Sequence, residues 1–116
     1  MLFAQRHSLL QALLDRLGDV KEGYRSAASA ALSELWVVRP TEVERVVREE
    51  AIQSANARAK EAGMLWVAKM HAEHNLQFRN FVPPMIECLE NADGLVRETA
   101  KTTIIELFGW AWFDRL

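Results

Sequence analysis

Two histidines, His71 and His74, stand three residues apart with Glu73 between them. These residue types bind zinc or relay protons. A zinc centre draws on three or four protein ligands, and the nearby chain supplies no cysteine, so the pair reads as a solvated helix end. The single cysteine, Cys88, has no histidine placed to activate it as a nucleophile. It falls on the apolar side of a helical stretch, which suits a buried, reduced thiol in a cytosolic or nuclear protein. Neither a Gly-rich phosphate loop nor a nucleophile elbow occurs. No catalytic, metal-binding or cofactor-binding residue is expected, and the chain reads as a non-enzyme.

What remains is chemistry of contact. Asp19, Lys21, Asn56, Arg58, Asn91 and Asp93 occupy three short polar segments, and Lys60 and Arg97 follow in the next turns of chain. The segments alternate in sign but place a cation in or beside each one. A row of such segments suits an acidic protein surface, met by separate contacts rather than in one pocket.

The elements that position them repeat. Leu13–Trp36 aligns without a gap on Met85–Phe108, an offset of 72 residues, with Leu17/Leu89, Arg25/Arg97, Ala28/Ala100, Glu34/Glu106 and Leu35/Leu107 identical. A shift of 35 finds a middle copy, putting Arg25 on Lys60, Ala28 on Gly63, Leu17 on Ile52 and Lys21 on Asn56. Self-similarity at this period is the mark of a solenoid. The chain reads as all-α, an α-α superhelix of about three helix-turn-helix repeats, and residues 1–116 as a single domain.

Helical periodicity fills in the repeats. Leu9, Leu10, Leu13, Leu14 and Leu17 make the first amphipathic helix, with Gly18 as its left-handed C-terminal cap. Tyr24, Ala27, Ala28, Ala31, Leu32, Leu35 and Trp36 mark the inner side of the second. Pro40 stops it, and Thr41 with Glu44 reads as a capping box for the third, whose stripe is Val43, Val46, Val47 and Ala51. The fourth runs from about Ala57 to about His74 with Gly63, Val67 and Met70 inward. Pro83 and Pro84 suit the first turn of the fifth, with Val82, Met85, Ile86 and Leu89 inward. The last begins near Leu95 and carries Val96, Ala100, Thr103, Ile104, Leu107 and Phe108. The intervening turns, at 18–23, 54–58 and 91–95, are expected to line up along one edge. Trp36, Trp66, Phe78 and Phe81 read as core.

Composition sets the outer bounds. The 116 residues are half hydrophobic and 26% charged, as in a globular domain rather than a disordered chain. A net charge of −2 argues against wholesale nucleic-acid binding. No cationic start precedes an apolar run, and no apolar stretch approaches a membrane span, so neither a secretory signal nor a membrane segment is expected.

Not every turn residue points to a partner. An Asp or Asn six residues before an Arg, as in Asp19/Arg25 and Asn91/Arg97, reads as structural: the first accepts N–H bonds at a helix start, and the Arg bridges to the adjacent repeat. Lys21, Asn56, Arg58 and Lys60 have no such duty in the pattern, and for them a binding role and a solvated turn weigh equally. Trp110, Trp112 and Phe113 crowd the C-terminal end, either as a cap that folds back or as an apolar end that seeks a partner. With Met1, Leu2, Phe3 and Leu9 they are candidates for self-association into a homo-oligomer through exposed solenoid ends.

Three runs together carry a resemblance: SLLQALLDRLGDVKEGYR (Ser8–Arg25), SANARAKEAGMLWV (Ser54–Val67) and NADGLVRETAKTTIIELF (Asn91–Phe108). In that order they resemble the CLASP family of microtubule-associated proteins, at the later HEAT repeats of an N-terminal TOG domain. The Leu- and Trp-rich variant is more similar to fungal members than to animal ones.

The resemblance implies a HEAT-repeat paddle whose intra-repeat turns bind αβ-tubulin. It implies a module of a plus-end and spindle regulator that stabilises microtubules in mitosis, in the cytoplasm, cytoskeleton and spindle, with the nucleus also open. Carried over turn by turn, the edge is Asp19 and Lys21, then Asn56, Arg58 and Lys60, then Asp93 and Arg97. A full TOG paddle is about twice this length, so weak tubulin affinity or none is expected from three turns. The alternative is a HEAT-repeat docking scaffold for a kinetochore or spindle protein that does not touch tubulin.

Overall fold

The computed structural model describes the backbone of residues 2–109 and the side chains of residues 9–109. Among these residues the chain forms three helical hairpins and no strand. The first pairs α1 (Leu2–Leu17) with α2 (Glu22–Val38). In the second, α3 (Pro40–Val46) runs directly into a π-helical segment (Val47–Ile52), and this composite rod pairs with α4 (Ala57–His74). The third pairs α5 (Val82–Cys88), preceded by a 3-10 turn at Arg79–Phe81, with α6 (Gly94–Phe108). One layer holds α1, the α3–π rod and α5; the other holds α2, α4 and α6, with α4 packed between its two neighbours. This is the all-α helical-repeat architecture that the internal repetition implied.

The core is the apolar seam between the layers. Leu17, Leu32, Val47, Ile52, Met64, Val67, Met70, Phe81, Met85 and Val96 are wholly out of solvent, and Ala28, Gly63 and Ala100 let the helices close up. Gly63 is the tightest of these approaches: a Cβ there would stand 2.9 Å from Ile52 Cγ1 and 3.2 Å from Ala51 Cβ. Trp66 is buried, and its indole N–H donates to Ser33 Oγ at 3.1 Å, tying α4 to α2.

The π segment was not expected, and burial explains it. Val46 and Val47 are buried, and so are Ala51 and Ile52, five residues on. An uninterrupted α-helix would turn Glu50 toward the seam. The wider turn, closed by the Gln53 N–H on the Arg48 carbonyl at 3.3 Å, moves Glu50 to solvent and brings both apolar pairs inward.

Other local expectations need correction. Gly18 is not in a left-handed cap; among the described residues only Asn75 and Gly109 have positive φ. Asn75 ends α4, returning its N–H to the His71 carbonyl. Thr41 is not an N-cap: α3 starts on Pro40, two residues before such a cap would allow, with Arg39 in the cap position, and Glu44 instead accepts the Trp36 indole N–H at 2.7 Å. Tyr24, Ala27 and Ile86 were placed inward but are exposed. Each lies beside the buried stripe of its helix, on a flank that no neighbour covers. Met1 and the side chains of Leu2 and Phe3 lie outside the description.

Candidate partner-binding edge

The three turns are built on one plan. In the first, the Asp19 carboxylate accepts the Lys21 N–H at 2.8 Å, and Arg25 Nη1 donates to the carbonyls of Asp19 (2.8 Å) and Val20 (2.9 Å). In the third, Asn91 Oδ1 accepts the Asp93 N–H at 2.9 Å, and Arg97 Nη1 donates to the carbonyls of Asn91 (2.8 Å) and Ala92 (3.0 Å). The middle turn substitutes weaker chemistry at the same places: Ser54 Oγ accepts the Asn56 N–H at 3.3 Å, and Lys60 Nζ donates to the Ile52 carbonyl at 2.9 Å. The register is 19, 54 and 91 for the acceptor and 25, 60 and 97 for the cation.

Each position has a physical reason. A short polar side chain that takes the N–H two residues on makes a turn without secondary structure. The cation six residues later satisfies carbonyls that the turn leaves unpaired. The N-cap falls between them, at Lys21, Asn56 and Asp93. Asn56 Oδ1 accepts the Ala59 N–H at 3.1 Å, and Asp93 Oδ1 accepts those of Leu95 (2.8 Å) and Val96 (3.1 Å). Lys21 caps nothing with its side chain.

The turns also meet one another. Asn56 Nδ2 donates to the Gly18 carbonyl at 3.3 Å, joining the second turn to the first. Glu61, one turn into α4, feels the charges of Asp93, Arg25 and Arg58, which come from all three hairpins. Its carboxyl is held above the usual glutamate range, first by partial burial and then by Asp93, against the opposing pull of Arg25 and Arg58. The three bends share one rim.

Most of the residues carried onto this edge are occupied with the backbone. Asp19, Asn56, Lys60, Asp93 and Arg97 all bind main-chain groups of the turns. Arg25 and Arg97 are structural, as the pattern suggested, but they clamp their own turns instead of bridging repeats. Asn56 and Lys60 do have structural duties, contrary to the sequence reading. Lys21 and Arg58 are left exposed, with their charges at the rim. Trp110, Trp112 and Phe113 lie outside the described residues.

Tyr24 is a rim residue that sequence reasoning missed. It is 48% exposed, with the Arg16 guanidinium 5.4 Å and the Lys21 ammonium 5.5 Å from its ring centroid, and Val20 beside it is 69% exposed. An aromatic ring between two cations is an amphipathic contact surface. Its i, i+3 spacing to Lys21 was the available signal.

The residues that suggested chemistry have other work. His71 Nδ1 lies 2.9 Å from the Leu76 carbonyl, which makes it the protonated ring nitrogen, and the imidazole edge packs on Phe78. His74 lies against Trp36. Cys88 is buried with its thiol toward the Ile52 carbonyl, and burial pushes its pKa up, away from a reactive thiolate. Among the described residues no cluster of three His, Cys, Asp or Glu is placed to hold a metal, and no helix is long and apolar enough to cross a membrane.

Similarity to known proteins agrees with this architecture. The family described as "CLASP N terminal" matches residues 2–112. The chain is 54% identical over 99 residues to Protein STU1 of Chaetomium globosum, an alignment covering 85% of this chain and 9% of that protein. It is 50% identical over 104 residues to Protein STU1 of Coccidioides immitis, covering 90% and 8%, and 50% identical over 99 residues to Protein stu-1 of Neurospora crassa, covering 85% and 9%. The chain thus spans less than a tenth of the length of these fungal relatives. No solved structure matches it.

Proposed function

This chain belongs to the CLASP N-terminal family, and from that premise we propose that it is a non-enzymatic, microtubule-associated module whose rim of turns meets the acidic surface of αβ-tubulin. It acts as the later HEAT repeats of a TOG-type domain in a spindle and plus-end regulator that stabilises microtubules in mitosis. The observation that carries this reading is the shared plan of the three turns, the first two joined through Asn56 and Gly18. A rigid row of bends presents Lys21, Arg58 and the Tyr24 ring together, without an ordering cost at the moment of contact.

The backbone duties of the other rim residues favour a second reading. With Asn56, Lys60 and Arg97 committed to the turns, few free cations remain, and three turns collect modest binding energy. In that case the module is a docking scaffold for another spindle or kinetochore protein.

Size-exclusion chromatography with αβ-tubulin at low salt separates the two. The tubulin reading requires co-elution that weakens with added salt and is lost in the Lys21→Glu/Arg58→Glu variant, with its helical circular dichroism unchanged. Lys60 is excluded from the variant because it holds the Ile52 carbonyl. Co-elution that survives both charge reversals rules out the rim; no co-elution of the parent chain favours the scaffold.

A further inference from the structure

A groove of about 430 Å³ runs between α2 and α4 and is met by Leu95 from the first turn of α6. That is ample room for a large side chain and its neighbours. Two leucines line it with most of their surface in solvent, Leu65 at 57% and Leu95 at 68% exposed. Apolar side chains this open, facing one groove, are what a contact site presents. Along α4 the wall is one stripe, Arg58, Glu61, Leu65 and Lys69, at three- and four-residue spacing.

Charge is distributed unevenly along that stripe. At the rim end, Glu61 lies in the fields of Asp93, Arg25 and Arg58, and Glu22 adds another carboxylate. The far end holds Lys69, exposed and without an ion pair among the described residues. The groove therefore offers an apolar seat with an unmatched cation one helical turn beyond it.

We propose that this groove docks an extended segment of a partner protein that sets a bulky apolar side chain against Leu65 and Leu95 and, two residues away, a carboxylate against Lys69. The spacing follows from geometry. Leu65 and Lys69 are separated by roughly 6 Å along α4. Side chains on one side of an extended peptide recur every second residue, roughly 6.6 Å apart. The groove opens at the rim, where Arg58 belongs to both, but Leu65 and Lys69, which carry the docking, lie beyond it on the flank of α4.

The test is fluorescence anisotropy of the full 116-residue chain with a short labelled Gly/Ser peptide carrying Phe-Ser-Glu. Matched peptides carry Ala-Ser-Glu or Phe-Ser-Lys. The Phe-Ser-Glu peptide binds best. Leu65→Ser, at an exposed position that leaves the fold intact, removes the advantage of Phe over Ala. Lys69→Glu weakens the Phe-Ser-Glu peptide about threefold, in line with an exposed ion pair, and strengthens Phe-Ser-Lys. Lys21→Glu leaves peptide binding unchanged whatever it does to tubulin co-elution. Equal binding of the three peptides, no saturable binding at millimolar concentration, or a Leu65→Ser titration that matches the parent overturns the proposal.

Discussion

Asn56 reaches back across 38 residues to hold Gly18, its Nδ2 donating to the Gly18 carbonyl at 3.3 Å. Its Oδ1 meanwhile caps α4 through the Ala59 N–H at 3.1 Å. One short amide, carrying both a donor and an acceptor, starts a helix and couples two repeats. A Cβ on Gly18 would stand 2.6 Å from that same Nδ2, so a larger residue there would push the amide aside.

The pair should therefore be energetically coupled. Asn56→Ala loses a cap and a hydrogen bond, about 2 kcal/mol together. Gly18→Ala displaces the amide and costs about 1 kcal/mol in the parent, yet close to nothing once Asn56 is already Ala. Urea unfolding of the two single variants and the double variant measures the coupling. Strict additivity would show that the two turns are not joined through this amide.

Gly63→Ala tests the seam between α4 and the π segment. The added methyl meets Ile52 Cγ1 at 2.9 Å and Ala51 Cβ at 3.2 Å. Overpacking of about 1–3 kcal/mol should exceed the gain of about 1 kcal/mol from better helix propensity. The midpoint of thermal unfolding should fall, and Ile52→Ala in the same chain should recover part of the methyl's cost. A rise in the midpoint of the single variant would mean that the π segment yields freely.

Glu61 gives a pH signature. Its pKa is raised by partial burial and by Asp93, beyond what Arg25 and Arg58 offset. A raised carboxyl pKa means that folding disfavours the ionised form, so the penalty is fully present above the folded pKa and vanishes below the ordinary glutamate value. Glu61→Gln should thus be more stable than the parent at neutral pH, with the difference shrinking as pH falls through the window between those two values. Parallel thermal melts check this; an advantage that grows on acidification would reverse the assignment.

Cys88 should be silent in the folded chain. It is buried, and burial raises its pKa, so both access and thiolate content are low. Reaction with a disulfide reagent at mildly alkaline pH should be slow in buffer and should accelerate with urea in step with unfolding. Fast reaction without denaturant would show that the α5 end opens on its own.

Much of the fold is legible in residue spacing. The offset relating Leu13–Trp36 to Met85–Phe108 implies stacked hairpins, since equal stretches of chain make equal units. The structural reading of Arg25 and Arg97 is legible as well, because each clamps carbonyls five and six residues back, inside the copied unit. The exposure of Tyr24 and Ile86 is not legible. Helical periodicity marks an apolar face, but it does not say which flank of that face a neighbour covers.

The edge divides in the same way. Its residue types, its three turns and its cations are written in the chain, because each turn is closed by local hydrogen bonds. How the turns meet was decided only when they were brought together. Lys60 is spent on the Ile52 carbonyl inside its own turn, whereas Asn56 finds the Gly18 carbonyl only once the hairpins stack. The groove between α2 and α4 likewise exists only between elements. Local chemistry belongs to sequence because its partners are a few residues apart; availability for a partner depends on contacts between distant segments, and those are set by packing.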